Sequence, residues 1–113
     1  MPFIDVYTNA HIGNSEKKIK DRLGEAITVI PGKTEKVLMI RLSEDQKLYM
    51  AGDGEEPAAM VVLMVKGHYE KEYYEAFAKE LAAILGEELG ICGKRIYLKM
   101  DENDIWGVGA DIV

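Results

Sequence analysis

A proline stands at position two of this chain, directly after Met1 and directly before Phe3-Ile4-Asp5-Val6-Tyr7. Removal of Met1 converts the Pro2 nitrogen from a tertiary amide into a free secondary amine. The five residues that follow are apolar, β-branched or aromatic with one acid among them, and they predict a strand. A strand that opens on proline loses no ladder donor that matters. The chemistry on offer is therefore proton transfer by a basic nitrogen held rigidly at the lip of a sheet. With Met1 attached, the same nitrogen is an amide with no usable lone pair. The site is conditional on one peptide bond.

The elements that must position this nitrogen can be read along the chain. Asn9 to Gly13 reads as loop, and Asn14 or Ser15 is placed to cap a helix, although Ser15-Glu16-Lys17-Lys18 lacks the acid of a full capping box. Ile19, Leu23, Ala26, Ile27 and Ile30 recur at helical spacing, and Pro31-Gly32 ends that run. Gly24 inside it predicts a close approach to the sheet. Lys36 to Leu42 predicts a second strand, apolar on both faces, and Leu48 to Ala51 a short edge strand. Ala58 to Val65 is continuously apolar, and Pro57 and Lys66-Gly67 bound it, as suits a central strand. A second helix is expected from about Tyr69 to Leu89, with Tyr73, Tyr74, Phe77, Leu81, Ile84, Leu85 and Leu89 on one face. Arg95 to Met100 predicts the last long strand.

Each half of the chain thus reads as strand, helix, Gly-Lys loop, strand, with Gly32-Lys33 and Gly93-Lys94 in matching places. Two such units give an α+β fold, β-α-β-β-α-β, with both helices on one face of a four-stranded mixed sheet and short edge strands beside it. Right-handed crossovers make the strands within each unit parallel. No helix remains for the other sheet face, yet Leu38, Ile40, Val62 and Met64 supply apolar side chains in both directions. Self-association is the expected cover.

A length of 113 residues suits a single domain, residues 1–113, and 48% apolar with 30% charged residues excludes a disordered composition. The formal charge of −6 argues against nucleic acid and against an anionic membrane as partners, and no apolar run is long enough to span a bilayer. One cysteine, Cys92, cannot form an internal disulfide. His11 and His68 lie far apart, with no Cys/His cluster, so neither metal nor cofactor is expected. The absence of a secretory signal pattern points to a cytoplasmic protein.

The start Met1-Pro2, followed by Phe3 to Tyr7 and Thr8-Asn9, resembles the macrophage migration inhibitory factor family of the tautomerase superfamily, in its microbial form. Further anchors run in the same order along the chain: Gly32-Lys33, Glu56-Pro57-Ala58, Gly67, Arg95-Ile96-Tyr97 and Trp106-Gly107. The resemblance covers essentially all of it. It implies a homotrimer whose sheets form an inner barrel, covering the bare face. It also implies cofactor-free keto–enol tautomerisation of a small α-keto acid such as phenylpyruvate, with Pro2 as the general base. A prolyl amine is intrinsically basic. Desolvation and a nearby cation bring its pKa toward neutrality, where a base works best.

By the same resemblance Lys33 binds the substrate carboxylate and lowers the Pro2 pKa, and Tyr97 reaches the pocket from a neighbouring subunit. Lys66 stands where the family's best-known member has an isoleucine that acts through its backbone N–H, and Lys99 where that member has an asparagine. Both lysines would make the pocket more cationic. Phe3, Met39, Trp106 and Val108 are its expected apolar walls. Ala58 and Val61 replace the ends of the vertebrate cytokine's Cys-x-x-Cys, so thiol oxidoreductase activity is not implied. Two other readings stand beside the tautomerase. One is a cytokine-like, partner-binding protein with a vestigial pocket, which leaderless secretion in the family allows. The other is a different superfamily chemistry at the same amine, such as decarboxylation or hydration.

Overall fold

The computed structural model describes residues 1–113. β1 (Pro2–Thr8) leads through a 3-10 turn at Gly13–Ser15 into α1 (Glu16–Ala26), and a second turn over Ile27–Val29 continues the run. β2 (Met39–Ser43), β3 (Ala59–Lys66), α2 (Lys71–Leu89) and β4 (Ile96–Asn103) follow, and the chain closes in a small hairpin of β5 (Gly107–Val108) and β6 (Asp111–Ile112). The main sheet has the order β2-β1-β3-β4. β1 runs parallel to β2 and β3 parallel to β4, while β1 and β3 are antiparallel. The two β-α-β halves expected from the sequence are therefore joined through their first strands. No helix is long and apolar enough to cross a membrane.

The helices cover one sheet face because each carries one apolar stripe. Ile19, Leu23 and Ala26 of α1 and Tyr74, Phe77, Leu81, Ile84 and Leu85 of α2 are buried. Against them β3 turns Ala59, Val61, Leu63 and Val65, and β1 adds Ile4 and Val6. Gly90 ends α2 in the left-handed conformation (φ 67°), and its N–H returns to the carbonyl of Gly86.

The structure moves several expected boundaries. β2 begins at Met39 rather than Lys36, because pairing with β1 starts at Phe3–Met39, and beyond Phe3 only Pro2 remains, which has no N–H. Lys36 and Val37 lie instead in a 3-10 turn, Glu35–Val37. Tyr69 stays outside α2 because its backbone N–H donates to the Glu102 carboxylate (3.0 Å). β4 runs on to Asn103, paired with Met64 to Lys66. Leu48 to Ala51 forms no strand. A single bridge, Met50–Asp53, closes a tight turn with positive φ at Ala51 and Gly52, and β5 and β6 are the short strands of the fold. Gly24 makes room for the Glu35 side chain rather than for the sheet. Ser15 sits at the α1 N-cap with helical φ and ψ and makes no side-chain cap bond.

The second face of the sheet is bare, and it is not uniformly apolar. Its middle is a polar knot. Asp5, only 3% exposed, accepts two hydrogen bonds from Arg41 (2.6 and 2.8 Å) and one from the Tyr7 hydroxyl (2.8 Å). Around the knot lie Phe3, Met39, Met60, Val62, Met64 and Tyr97, with Met39 68% and Tyr97 62% exposed. Ile40 and Leu38 belong to the other face, packed against the helical core.

Candidate active site

Pro2 begins β1 beside Val65, near the end of the central strand. The largest cavity of the chain, about 690 Å³, opens there. Its walls come from three places. Met1, Pro2 and Phe3 open the first strand, Val37 and Met39 enter the second, and Trp106 to Gly109 with Asp111 and Val113 form the tail hairpin. The hairpin is closed by its own end, since the Val113 N–H donates to the Trp106 carbonyl (2.8 Å). Phe3, Met39, Trp106 and Val108 are thus gathered around Pro2. Val37 joins them through a turn, although its local pattern predicts a strand.

Lys33 reaches the same corner from the Pro31-Gly32 turn. Only 8% of it is exposed, and its Nζ donates to the Lys66 carbonyl (3.1 Å). One such bond leaves an ammonium two further donors. The effect on the chain's terminal amine is large. Burial first, then the hydrogen-bonding and charge of Lys33, and then the charge of Lys66 lower the Met1 amine from 8.0 to about 6. Lys66 itself is the last residue of β3. Its N–H, the group that the resemblance offers to substrate, donates to the Met1 carbonyl (3.3 Å). Met1 therefore covers the Pro2 nitrogen and engages that donor together.

Tyr97 and Lys99 lie elsewhere. Tyr97 pairs with Met60, five positions along β3 from the partner of Pro2, so about 17 Å separates the two along the strand. Tyr97 lines instead a small apolar hollow of about 170 Å³ with Leu48, Tyr49 and Met50. Lys99 pairs with Val62 and bonds Asp101 (3.2 Å). Neither approaches Pro2 within one chain.

The strand–loop anchors do structural work at the opposite end of the sheet from Pro2. The Thr8 hydroxyl donates to the Ala58 carbonyl (2.7 Å), and Asn9 bonds both the Ala58 N–H (2.8 Å) and the Glu56 carbonyl (2.9 Å). The Arg95 guanidinium donates to the carbonyls of Pro57, Met50, Asp53 and Glu56. Both histidines are tied to carboxylates: His11 to Asp45 (2.9 Å), and His68 to Glu102 (3.0 Å) and Asp104 (2.6 Å). Those carboxylates raise both imidazole pKa values. From sequence alone both histidines read only as loop residues without a role. Tyr69 is likewise hidden in the sequence, since its spacing assigns it to the start of a helix. Its place two residues after Gly67, an anchor with φ 104°, is the available signal.

Two parallel β-α-β units joined antiparallel through their first strands, with a cleft at the amino terminus, define the fold of the tautomerase superfamily. The chain belongs to the macrophage migration inhibitory factor (MIF) family, whose model matches residues 1–111. Among solved structures it is similar to MIF2 of Leishmania major, with 22% identity, a TM-score of 0.89, and coverage of 100% of this chain and 97% of that one. It is similar also to the MIF-like protein of Entamoeba histolytica, with 18% identity, a TM-score of 0.86, and coverage of 99% and 98%. A third is Pt0534 inactivated by 2-oxo-3-pentynoate, with 17% identity, a TM-score of 0.77, and coverage of 89% and 85%. No curated protein matches the chain by sequence.

Proposed function

We propose that the protein is a cofactor-independent keto–enol tautomerase of small α-keto acids of the phenylpyruvate kind, with Pro2 as general base once Met1 is removed. The observation that carries this reading is the open apolar cleft around Pro2, with the nearly buried Lys33 close enough to the terminal amine to help lower its pKa. Removing Met1 frees the secondary amine of Pro2 in this cleft and releases the Lys66 N–H. The substrate carboxylate takes the place of the Met1 carbonyl, between that N–H and the free donors of Lys33. Its aromatic or aliphatic tail lies against Phe3, Met39, Trp106 and Val108. The Pro2 amine removes a proton from the carbon beside the ketone, and the enolate oxygen then takes the proton back to give the enol. The reverse sequence returns the ketone. No atom or electron enters from outside.

Charge develops on the keto oxygen during this transfer, and a hydrogen-bond donor there lowers the barrier. Tyr97 is that donor in this reading, supplied by a second copy in a homotrimer, since the register keeps it away from Pro2 in its own chain. The exposure of Met39 and Tyr97 on the bare sheet face agrees with such an assembly. Lys99 of the neighbouring copy adds to the positive field and favours acidic substrates. Pt0534 is inactivated by 2-oxo-3-pentynoate, an α-keto acid, which is the substrate class proposed here. The open cleft also favours an enzyme over a partner-binding protein with a vestigial pocket.

The test is phenylpyruvate enol–ketone conversion by processed protein, its amino terminus checked by intact mass. Pro2→Gly keeps a free amine, so partial loss is expected. A short extension ahead of Met1 blocks the amine and should abolish turnover. Full activity in the extended protein, or an unchanged rate in Pro2→Gly, refutes Pro2 as the base. The ratio kcat/KM should rise with pH as the Pro2 amine loses its proton and level off above that range, because only the neutral amine accepts a proton.

A further inference from the structure

Lys33 needs more than its own backbone to hold an ammonium beside a second amine. Like charges repel there, and a flexible four-carbon stem has other places to go. The β3–α2 loop supplies what the stem lacks. Tyr69 sets its ring against Lys33, with the Nζ 5.3 Å from the ring centroid, and its hydroxyl makes a long contact (3.4 Å) to the Lys66 carbonyl that Lys33 also bonds. The ring face is electron-rich and attracts the ammonium, most strongly where water is scarce. Lys33 is nearly buried, so the condition is met.

The ring is itself fixed from several sides. Its backbone N–H donates to Glu102 (3.0 Å), and Tyr74 meets it edge-on at 6.3 Å and 85° while its own hydroxyl donates to the same carboxylate (2.6 Å). Gly67, at φ 104°, makes the bend that brings the ring back over Lys33, and its N–H is tied to the Asn103 carbonyl (2.8 Å). We infer that Tyr69 is a positioning residue: its ring and the Lys66 carbonyl form a two-sided cradle that aims Lys33 at the terminal amine and at the carboxylate subsite.

The inference rests on the proposed tautomerase only for its kinetic consequence. Its primary readout, the pKa of the terminal amine, holds for any activity and is obtained from the pH dependence of that amine's acylation. In Tyr69→Leu the ammonium is free to swing away, so the amine pKa should rise by about half a unit or more, and KM for phenylpyruvate should rise about threefold to tenfold with kcat little changed. Tyr69→Phe keeps the ring and should retain most of both values. Replacing Tyr69 by pentafluorophenylalanine keeps the shape but reverses the ring's charge distribution, so it should behave as Leu does. In a Lys33→Met background the Leu substitution should no longer move the amine pKa.

An amine pKa that is the same in wild type, Tyr69→Leu and the fluorinated variant overturns the inference. So does an equal effect from Phe and Leu, which would assign the role to the hydroxyl. Should Tyr69→Leu not fold, the fluorinated variant alone decides: a raised amine pKa sustains the cradle and an unchanged one refutes it. An amine pKa that shifts as stated in a protein without tautomerase activity sustains the cradle and refutes the tautomerase reading.

Discussion

At its carboxyl end β1 runs into Thr8 and Asn9, whose side chains are bonded to Ala58 and Glu56, and Arg95 ties the Glu56 carbonyl and three further ones over the same loops. At its amino end the same strand starts beside a cleft of about 690 Å³, where burial and then two nearby lysines reduce the terminal amine's affinity for protons. The first end satisfies its polar groups within one chain. The second keeps like charges together and leaves apolar walls open, which costs stability and makes sense where a ligand is to bind. Seven residues of strand separate a structural end from the proposed chemical one.

Substitutions should therefore separate cleanly into stability effects at one end and activity effects at the other. The largest is expected at Arg95→Ala, which leaves four carbonyls without their charged donor and should lower unfolding free energy by about 3 kcal/mol. Urea denaturation measures it. Lys33→Met comes next, with kcat/KM for phenylpyruvate falling about 30-fold to 100-fold, equivalent to about 2 to 3 kcal/mol, while the urea midpoint stays near wild type. A comparable loss of stability in that variant would dissolve the distinction between the two ends. Thr8→Val removes a buried hydroxyl that donates to Ala58 and accepts from the Ala10 N–H, at about 1 to 3 kcal/mol, without changing KM.

The smallest effect sits between the ends. The Arg41 hydrogen bonds hold the Asp5 carboxyl below the ordinary carboxylate pKa, more than burial raises it, and Tyr7 adds to the lowering. A carboxylate whose folded pKa is lowered contributes stability above its unfolded pKa of about 4 and loses it as pH falls through the folded value. Asp5→Asn should therefore be less stable than wild type at pH 6, and the gap should shrink below about pH 4. A gap that stays constant through that range would show that Asn fits the knot badly for reasons other than charge.

Much of the architecture is legible in the sequence because local pattern encodes it. Eight apolar residues between Pro57 and Gly67 leave little choice for β3, and the spacing of Phe77, Leu81, Ile84 and Leu85 requires a helix. Pattern and structure part company where a distant partner overrides local preference. Tyr69 has helical spacing but gives its N–H to Glu102, and Val37 has strand character but bends into the cleft wall because β1 has no donor left to pair with it. Leu48 to Ala51 has strand composition, but no neighbouring strand within the chain lies alongside it.

The site divides the same way. Pro2 announces itself in sequence, since only position and residue type are needed to see a latent amine. Sequence by itself also determined the two β-α-β halves and the apolar stripes that put both helices on one face. Which groups surround the amine was decided by tertiary structure alone. The β1-α1-β2 crossover brings Lys33 to Lys66, the pairing register carries Tyr97 about 17 Å away, and the β3–α2 loop lays Tyr69 over Lys33. Residues thirty or more positions apart meet through register and crossover, and no local periodicity records either.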